Sequence, residues 1–281
     1  MNIISKEEYK ERRTGKSAVI VEDRKKFLEG TIFPVYNVGH LGYIKILEYR
    51  DCNHILVEFL DDTHYQKVVD FKSITFGNIR NPYTPGKFGS YVGEGQFTWP
   101  NSKRIYSIWE GVVKRISIAN ISRRFSPYAN CTLCKEWYNY QNFAQWFTDY
   151  ESKLNPKYHL EYSIDKDILQ WNQKFKIYSP ETCCLVPIKV NTLLVSLNLN
   201  DENNLPIGVN ITKYGRYNAY SFLKGNRKHL GYYNTSEEAF QAYTNYKRQH
   251  IIEECTPYYL DGAILPDIYE RLCNLEILPN Y

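Results

Sequence analysis

Gly208-Val209-Asn210-Ile211-Thr212, Tyr214-Gly215, Arg216 to Lys224, Gly225-Asn226, Lys228 to Tyr232 and Asn234-Thr235-Ser236-Glu237-Glu238 succeed one another almost without interruption. The first run reads as a short strand. Tyr214-Gly215 reads as a turn, Arg216 to Lys224 as an alternating strand, Gly225-Asn226 as a second turn, and Lys228 to Tyr232 as a third strand. Asn234 to Glu238 has the polar and acidic residues that open a helix, here expected to run to about Cys255. Three short strands followed by one long helix make a sheet with a helix behind it, so the fold class expected for the chain is α+β. A last helix is expected from about Pro266 to Leu275.

Upstream, Tyr162 to Leu169 and Lys174 to Tyr178 read as two short strands. Ser179-Pro180-Glu181-Thr182 then carries a capping serine, a proline at the first helical position and an acid near the positive helix end. Tyr162 to about Asn191 is therefore expected to be a ββα unit. Ile105, Ile108, Trp109, Val112, Val113 and Ile116 recur at helical spacing, and Asn142 to Tyr150 forms another helix with Phe143, Trp146 and Phe147 on one side. Nearer the N-terminus, Tyr43 to Tyr49 and Ile55 to Phe59 alternate across a polar turn, a hairpin pattern, with a third strand at Tyr65 to Phe71. Residues 1–15 are expected to begin as a short helix and Ser17 to Val21 as a strand. Arg80 to Gly89 holds two prolines and two glycines and reads as a linker. The expected organisation is three modules: a small β domain at 1–83, a ββα domain at 90–196, and a sheet–helix domain at 200–281.

The chain has 281 residues, 43% hydrophobic and 23% charged, which is a globular balance. No stretch approaches the roughly eighteen apolar residues of a membrane-spanning helix. The N-terminal residues lack the apolar core of a signal peptide, and seven cysteines spread over this length do not make a disulfide scaffold. A cytoplasmic location follows as the expectation. The net charge is only +4, but it is unevenly placed. Asn204 to Ser236 holds five Lys or Arg and no acid, and Ser102 to Arg124 holds six against Glu110 alone. Such patches suit a polyanion; they also suit two solvated faces. The 26 tyrosines suit wet interfaces and stacking on bases, and equally a codon bias.

The run from Ile207-Gly208-Val209 through Tyr214-Gly215-Arg216-Tyr217 to His229-Leu230-Gly231-Tyr232-Tyr233-Asn234-Thr235-Ser236-Glu237-Glu238-Ala239-Phe240-Gln241-Ala242-Tyr243 closely resembles the APETALA2-type DNA-binding domain, over about Pro206 to Arg248. The resemblance implies that the sheet, not the helix, enters the major groove. It places DNA contacts at Asn210, Thr212, Tyr214, Arg216, Tyr220, Phe222, Arg227 and His229. Tyr214 and His229 stand where the family usually has tryptophan, and Asn210 and Thr212 where plant members have arginine. Arg216 and Arg227 keep the chemistry for phosphate or guanine.

Ser107-Ile108-Trp109 through Arg115, Cys131 to Trp137, Phe143 to Phe147, Asp165-Lys166-Asp167 and Tyr178-Ser179-Pro180-Glu181-Thr182-Cys183 together resemble phage and bacterial HNH-type (His-Me finger) homing endonucleases. That resemblance implies host cytoplasm and a phage-encoded, Mg²⁺-dependent endonuclease wherever activity survives. Asp165 takes the metal position, Lys166 the place of the histidine base, and Thr182 the place of a metal-binding asparagine, with Asn172 as a substitute ligand. A charged lysine cannot accept a proton, so the catalytic pair Asp165 and Lys166 is incomplete as it stands. Cys131-x-x-Cys134 has zinc-knuckle spacing, but Cys183-Cys184 is a poor partner pair, so zinc is not expected. The functional expectation is a protein that binds double-stranded DNA, with weak or lost metal-dependent phosphodiester hydrolysis. The competing one is a non-enzymatic DNA- or protein-binding factor, such as a regulator or a phage protein acting on a host defence system, with no membrane partner.

Overall fold

The computed structural model describes residues 28–37, 40–86, 88–117, 128–195, 205–223 and 226–279. The helix expected in residues 1–15, the strand at Ser17 to Val21, and Arg123, Arg124 and Lys224 of the basic patches lie outside the described residues. The chain is α+β and forms two compact units, one up to Gln96 with Asn139–Gln141, the other made of Phe97–Tyr138 and Asn142–Tyr281.

The first unit is a four-stranded antiparallel meander: β1 (Ile32–Asn37), β2 (His40–Asp51), β3 (His54–Phe59) and β4 (Gln66–Val69), paired in chain order. Alternation turns Ile44, Ile46, Ile55, Val57 and Phe59 into the core and leaves the intervening residues outside. The β2–β3 hairpin lies where the alternation predicts it. β1 was not anticipated, because Pro34 interrupts its pattern; β1 is an edge strand, where a missing N–H costs no ladder bond. β4 ends earlier than expected, because Asp70 caps a helix, α1 (Phe71–Phe76), by accepting a 2.8 Å bond from the Ser73 N–H. The Pro/Gly stretch that follows is anchored within this unit. The buried Asn81 amide donates to Asp61 Oδ2 at 2.8 Å and Thr63 Oγ1 at 2.7 Å, and nearby Tyr83 meets Tyr65 edge-on and Tyr91 at a tilt.

The second unit begins with α2 (Trp99–Ile116), which buries Trp109, Val112 and Val113. β5 (Cys131–Leu133) precedes α3 (Tyr140–Glu151), whose Phe143 and Phe147 are buried; Trp137 meets Phe143 edge-on at 5.0 Å. Then come β6 (Tyr162–Asp165), β7 (Lys176–Tyr178), β8 (Cys184–Pro187) and α4 (Ile188–Val195). After a further stretch, β9 (Val209–Ile211), β10 (Tyr217–Leu223) and β11 (Asn226–Tyr233) form an antiparallel sheet in the order β11-β10-β9. α5 (Ser236–Leu260) starts on a capping box between Thr235 and Glu238, and α6 (Pro266–Cys273) closes the chain.

The expected ββα unit needs correction. β6 and β7 do not pair with each other: β6 pairs antiparallel with β8, and β7 pairs parallel with β5. No helix starts at Ser179. Ser179 Oγ bonds Glu181 Oε2 and Thr182 Oγ1, and Thr182 Oγ1 donates to Ile177 O at 2.6 Å, folding this stretch into a turn against β7. The run Cys184 to Pro187 is wholly buried and becomes a strand, and the helix begins after Pro187. A ββα arrangement therefore does form, but from β6, β8 and α4.

One core unites this ββα arrangement with the C-terminal helices. Ile168, Cys184, Val186, Val190 and Leu194 cluster with Tyr243, Ile251, Cys255, Ile264 and Ile268.

Candidate nucleic-acid interface

The sheet β9–β11 covers one face with α5 and leaves the other bare. Val209 and Ala219 pack on Ala239, with Tyr217 and Tyr233 against them, and this is the inner face. Gly208, at φ 76°, sits so close to the helix that a Cβ would meet the Tyr243 ring at 2.1 Å. Alternation along the strands then sends Asn210, Asn218, Tyr220, Phe222 and Arg227 outward, and His229 stands opposite Tyr220.

Past His229 the register shifts. Ala219 pairs with Gly231 but Tyr220 with His229, so one extra residue bulges from β11. Gly231 has φ 141°, and a Cβ there would lie 2.9 Å from its neighbour's Tyr233 Oη. The bulge brings Tyr232 opposite Asn218 and onto the same face as His229, three positions on rather than two.

The outer face is a connected set. The Arg227 guanidinium lies over the Tyr220 ring at 3.6 Å and donates from Nη2 to Asn210 Oδ1 at 2.7 Å. The Asn218 amide is within hydrogen-bonding distance of both Asn210 Oδ1 (2.8 Å) and His229 Nδ1 (2.5 Å). Tyr220 meets Phe222 edge-on, and His229 leans on Tyr232 at 4.5 Å. Phe222 is 56% and Tyr232 54% exposed, which is much apolar ring to leave in water. Thr212, Tyr214 and Arg216 belong to the β9–β10 turn at one end. Thr212 Oγ1 accepts from the Arg216 N–H, Arg216 Nη2 donates to Tyr232 O at 3.0 Å, and Tyr214 is 80% exposed under the Lys213 ammonium. Asn210, Tyr220, Phe222, Arg227 and His229 of the expected contacts thus share one surface, with the three turn residues at its rim. Asn218 and Tyr232 are additions. Strict alternation from Asn210 and Tyr220 would have found the first; the bulge hides the second.

The residues expected at a metal centre are arranged differently. Asp165 ends β6 with 3% exposure, and its Oδ1 accepts 2.8 Å bonds from the N–H groups of Asp167 and Ile168. Burial, with the Asp167 charge, pushes its carboxyl up to about 6. Lys166 is also buried, its Nζ bonded to Asp167 at 2.9 and 3.0 Å; Lys176 reaches the same carboxylate at 2.5 Å. Burial opposes the Lys166 charge, but Asp167 outweighs it and holds the ammonium above its ordinary value. Paired with Asp167 in this way, Lys166 is in the charged form, which accepts no proton. Asn172 is exposed in a left-handed turn (φ 66°), and Thr182 spends its hydroxyl on Ile177 O. Among the described residues no hydrogen bond joins either to Asp165. The side chain that gathers this region is Gln170, buried, bonding Lys166 O, the Ile177 N–H and O, and Thr182 O.

Cys131, Cys134, Cys183 and Cys184 are all buried free thiols, and burial raises each, Cys134 to about 11. Among the described residues no three His, Cys, Asp or Glu side chains come together as ligands for one metal ion. The basic patch on α2 is partly neutralised from within: Arg104 pairs with Glu151 at 2.9 Å and Lys114 with Glu110 at 3.1 Å. No helix among the described residues is long and apolar enough to cross a membrane.

Fold and surface together define a class: an α+β protein presenting the bare, basic and aromatic face of a small antiparallel sheet. Compared with known protein families, curated proteins and solved structures, the chain matches none.

Proposed function

We propose that this protein binds double-stranded DNA through the outer face of β9–β11. One observation carries the reading. Arg227, His229, Asn210, Asn218, Tyr220, Phe222 and Tyr232 converge on a single uncovered face, in a stretch that contains no acid from Asn204 to Ser236. Three strands span about 10 Å between the outer two, within the roughly 12 Å width of a major groove. The basic groups attract phosphate without regard to sequence, and the fixed guanidinium and amides supply donors and acceptors for base edges. Phosphodiester hydrolysis has no part in this reading, because Asp165 is turned into a backbone cap, and Lys166 is held charged.

The test is fluorescence anisotropy of the full-length chain with a labelled duplex of about 20 base pairs, over a salt series. Binding is expected at low salt, with an affinity that falls steeply as salt rises and is unchanged by EDTA. Arg227→Ala should weaken it by about tenfold, and Arg248→Ala, on the exposed side of α5, by far less. No binding at about 50 mM salt, or an equal loss from the helix variant, would overturn the proposal.

A further inference from the structure

On the outer face one amide touches both wings of the sheet. Asn218 is the second residue of β10, the central strand, opposite Asn210 on β9 and Tyr232 on β11. Its amide lies 2.8 Å from Asn210 Oδ1 and 2.5 Å from His229 Nδ1; with its nitrogen turned to His229, as its neighbours require, its oxygen also accepts from Arg227 Nη2 at 3.1 Å, beside the Asn210 oxygen that holds the same group. His229, paired with Tyr220, reaches Asn218 diagonally along the same face.

We propose that Asn218 is a positioning residue that sets base discrimination at this surface. This rests on the duplex-DNA reading above. A free arginine loses side-chain entropy when it binds, and it meets phosphate in many orientations. Arg227 is already fixed in plane by Tyr220 at 3.6 Å and fixed in rotation by Asn210. Asn210, however, is a half-buried side chain in a strand of only three residues, and the Asn218 amide lies against it at 2.8 Å within the sheet. Removing that amide frees Asn210 to rotate and releases Arg227 and His229 from their fixed orientations. The charge of the face does not change. Phosphate attraction is therefore retained, and the geometry that distinguishes one base edge from another is lost.

The experiment selects duplexes from a library with a randomised core, using the full-length protein. It then measures affinity for the selected sequence and for a scrambled duplex. The wild type is expected to enrich a motif. Asn218→Ala and Asn218→Ser should lower the preference for that motif about tenfold, weakening the selected duplex far more than the scrambled one. Asn210→Ala and Arg227→Ala should blur the same motif positions. A purely structural role would instead lower the melting temperature and weaken both duplexes together. Unchanged discrimination in both Asn218 variants, loss at positions other than those lost in Arg227→Ala, or a wild type that binds without enriching any motif would each overturn the inference. A wild type that binds no duplex would remove the underlying reading as well.

Discussion

Asp165 shows how differently one residue reads in sequence and in space. Beside Lys166-Asp167 at the end of a strand, it has the setting of a metal ligand. In the fold its oxygen caps the turn that follows, through two backbone N–H groups. Its carboxyl is raised to about 6 by burial, against an ordinary value near 4, so its contribution to stability is fully present below about pH 4 and is lost as pH rises through 6. The loss is at most about 3 kcal/mol. Asp165→Asn keeps an acceptor for both N–H groups and cannot ionise, so relative to wild type it should gain stability between pH 4.5 and 7. Asp165→Ala leaves both donors buried and should cost about 1–3 kcal/mol at either pH. Urea unfolding at the two pH values separates these outcomes, and equal destabilisation by both variants at pH 7 would contradict the capping role. Lys247 teaches the same lesson: it is a basic residue in sequence, but it is buried in α5, and burial lowers its ammonium to about 8.

At the scale of elements, periodicity was a reliable guide wherever one face is buried and the other wet. The β2–β3 hairpin, α2, α3, the three strands of the C-terminal sheet and α5 all lie close to where alternation or helical spacing puts them. Reading failed where local signals compete. Ser179-Pro180-Glu181-Thr182 has the chemistry of a helix start, yet Ser179 Oγ bonds Glu181 and Thr182, the Thr182 hydroxyl donates to Ile177 O of the preceding strand, and four buried residues from Cys184 make a strand. Pairing partners were not legible, because β5–β7 and β6–β8 join segments about 20–45 residues apart with nothing in either that names the other. The site was legible as far as alternation holds, and Tyr232 escaped because a bulge breaks the count. Glycine positions offer a quantitative check. Gly208 and Gly215 both have positive φ, near 76° and 77°, but only Gly208 faces a buried ring; Gly215 faces open space. Gly215→Ala should cost about 1 kcal/mol, the backbone term alone. Gly208→Ala adds a clash with Tyr243 and should cost about 3 kcal/mol or more, read as the larger fall in melting temperature. Similar falls for the two would mean that the sheet does not press on α5 as closely as described.

Over the whole molecule, the basic groups among the described residues are not equivalent: some are paired with acids, and others stand on a face that has none. Arg104 and Lys114 of α2 pair with Glu151 and Glu110, Lys166 and Lys176 share Asp167, and Lys213, Arg216, Arg227 and Lys228 of the acid-free stretch at β9–β11 are exposed. A net charge of +4 hides this arrangement, since a sum over the chain carries no information about pairing.

The core shared by β6, β8 and α4 with α5 and α6 makes two sulfur atoms into informants. Cys184 lies in β8 and Cys255 in α5, both fully inaccessible and both inside that core. An alkylating reagent can reach either only when the core opens, so their labelling rates measure how often it does. A duplex bound, as proposed, to the outer face of β9–β11, away from α5, would slow that opening if it binds only the folded protein. Saturating duplex should therefore retard modification of Cys184 and Cys255 together and by the same factor, while exposed Cys52, in the other compact unit, reacts as before. Protection of Cys255 without Cys184 would show that the core opens in parts.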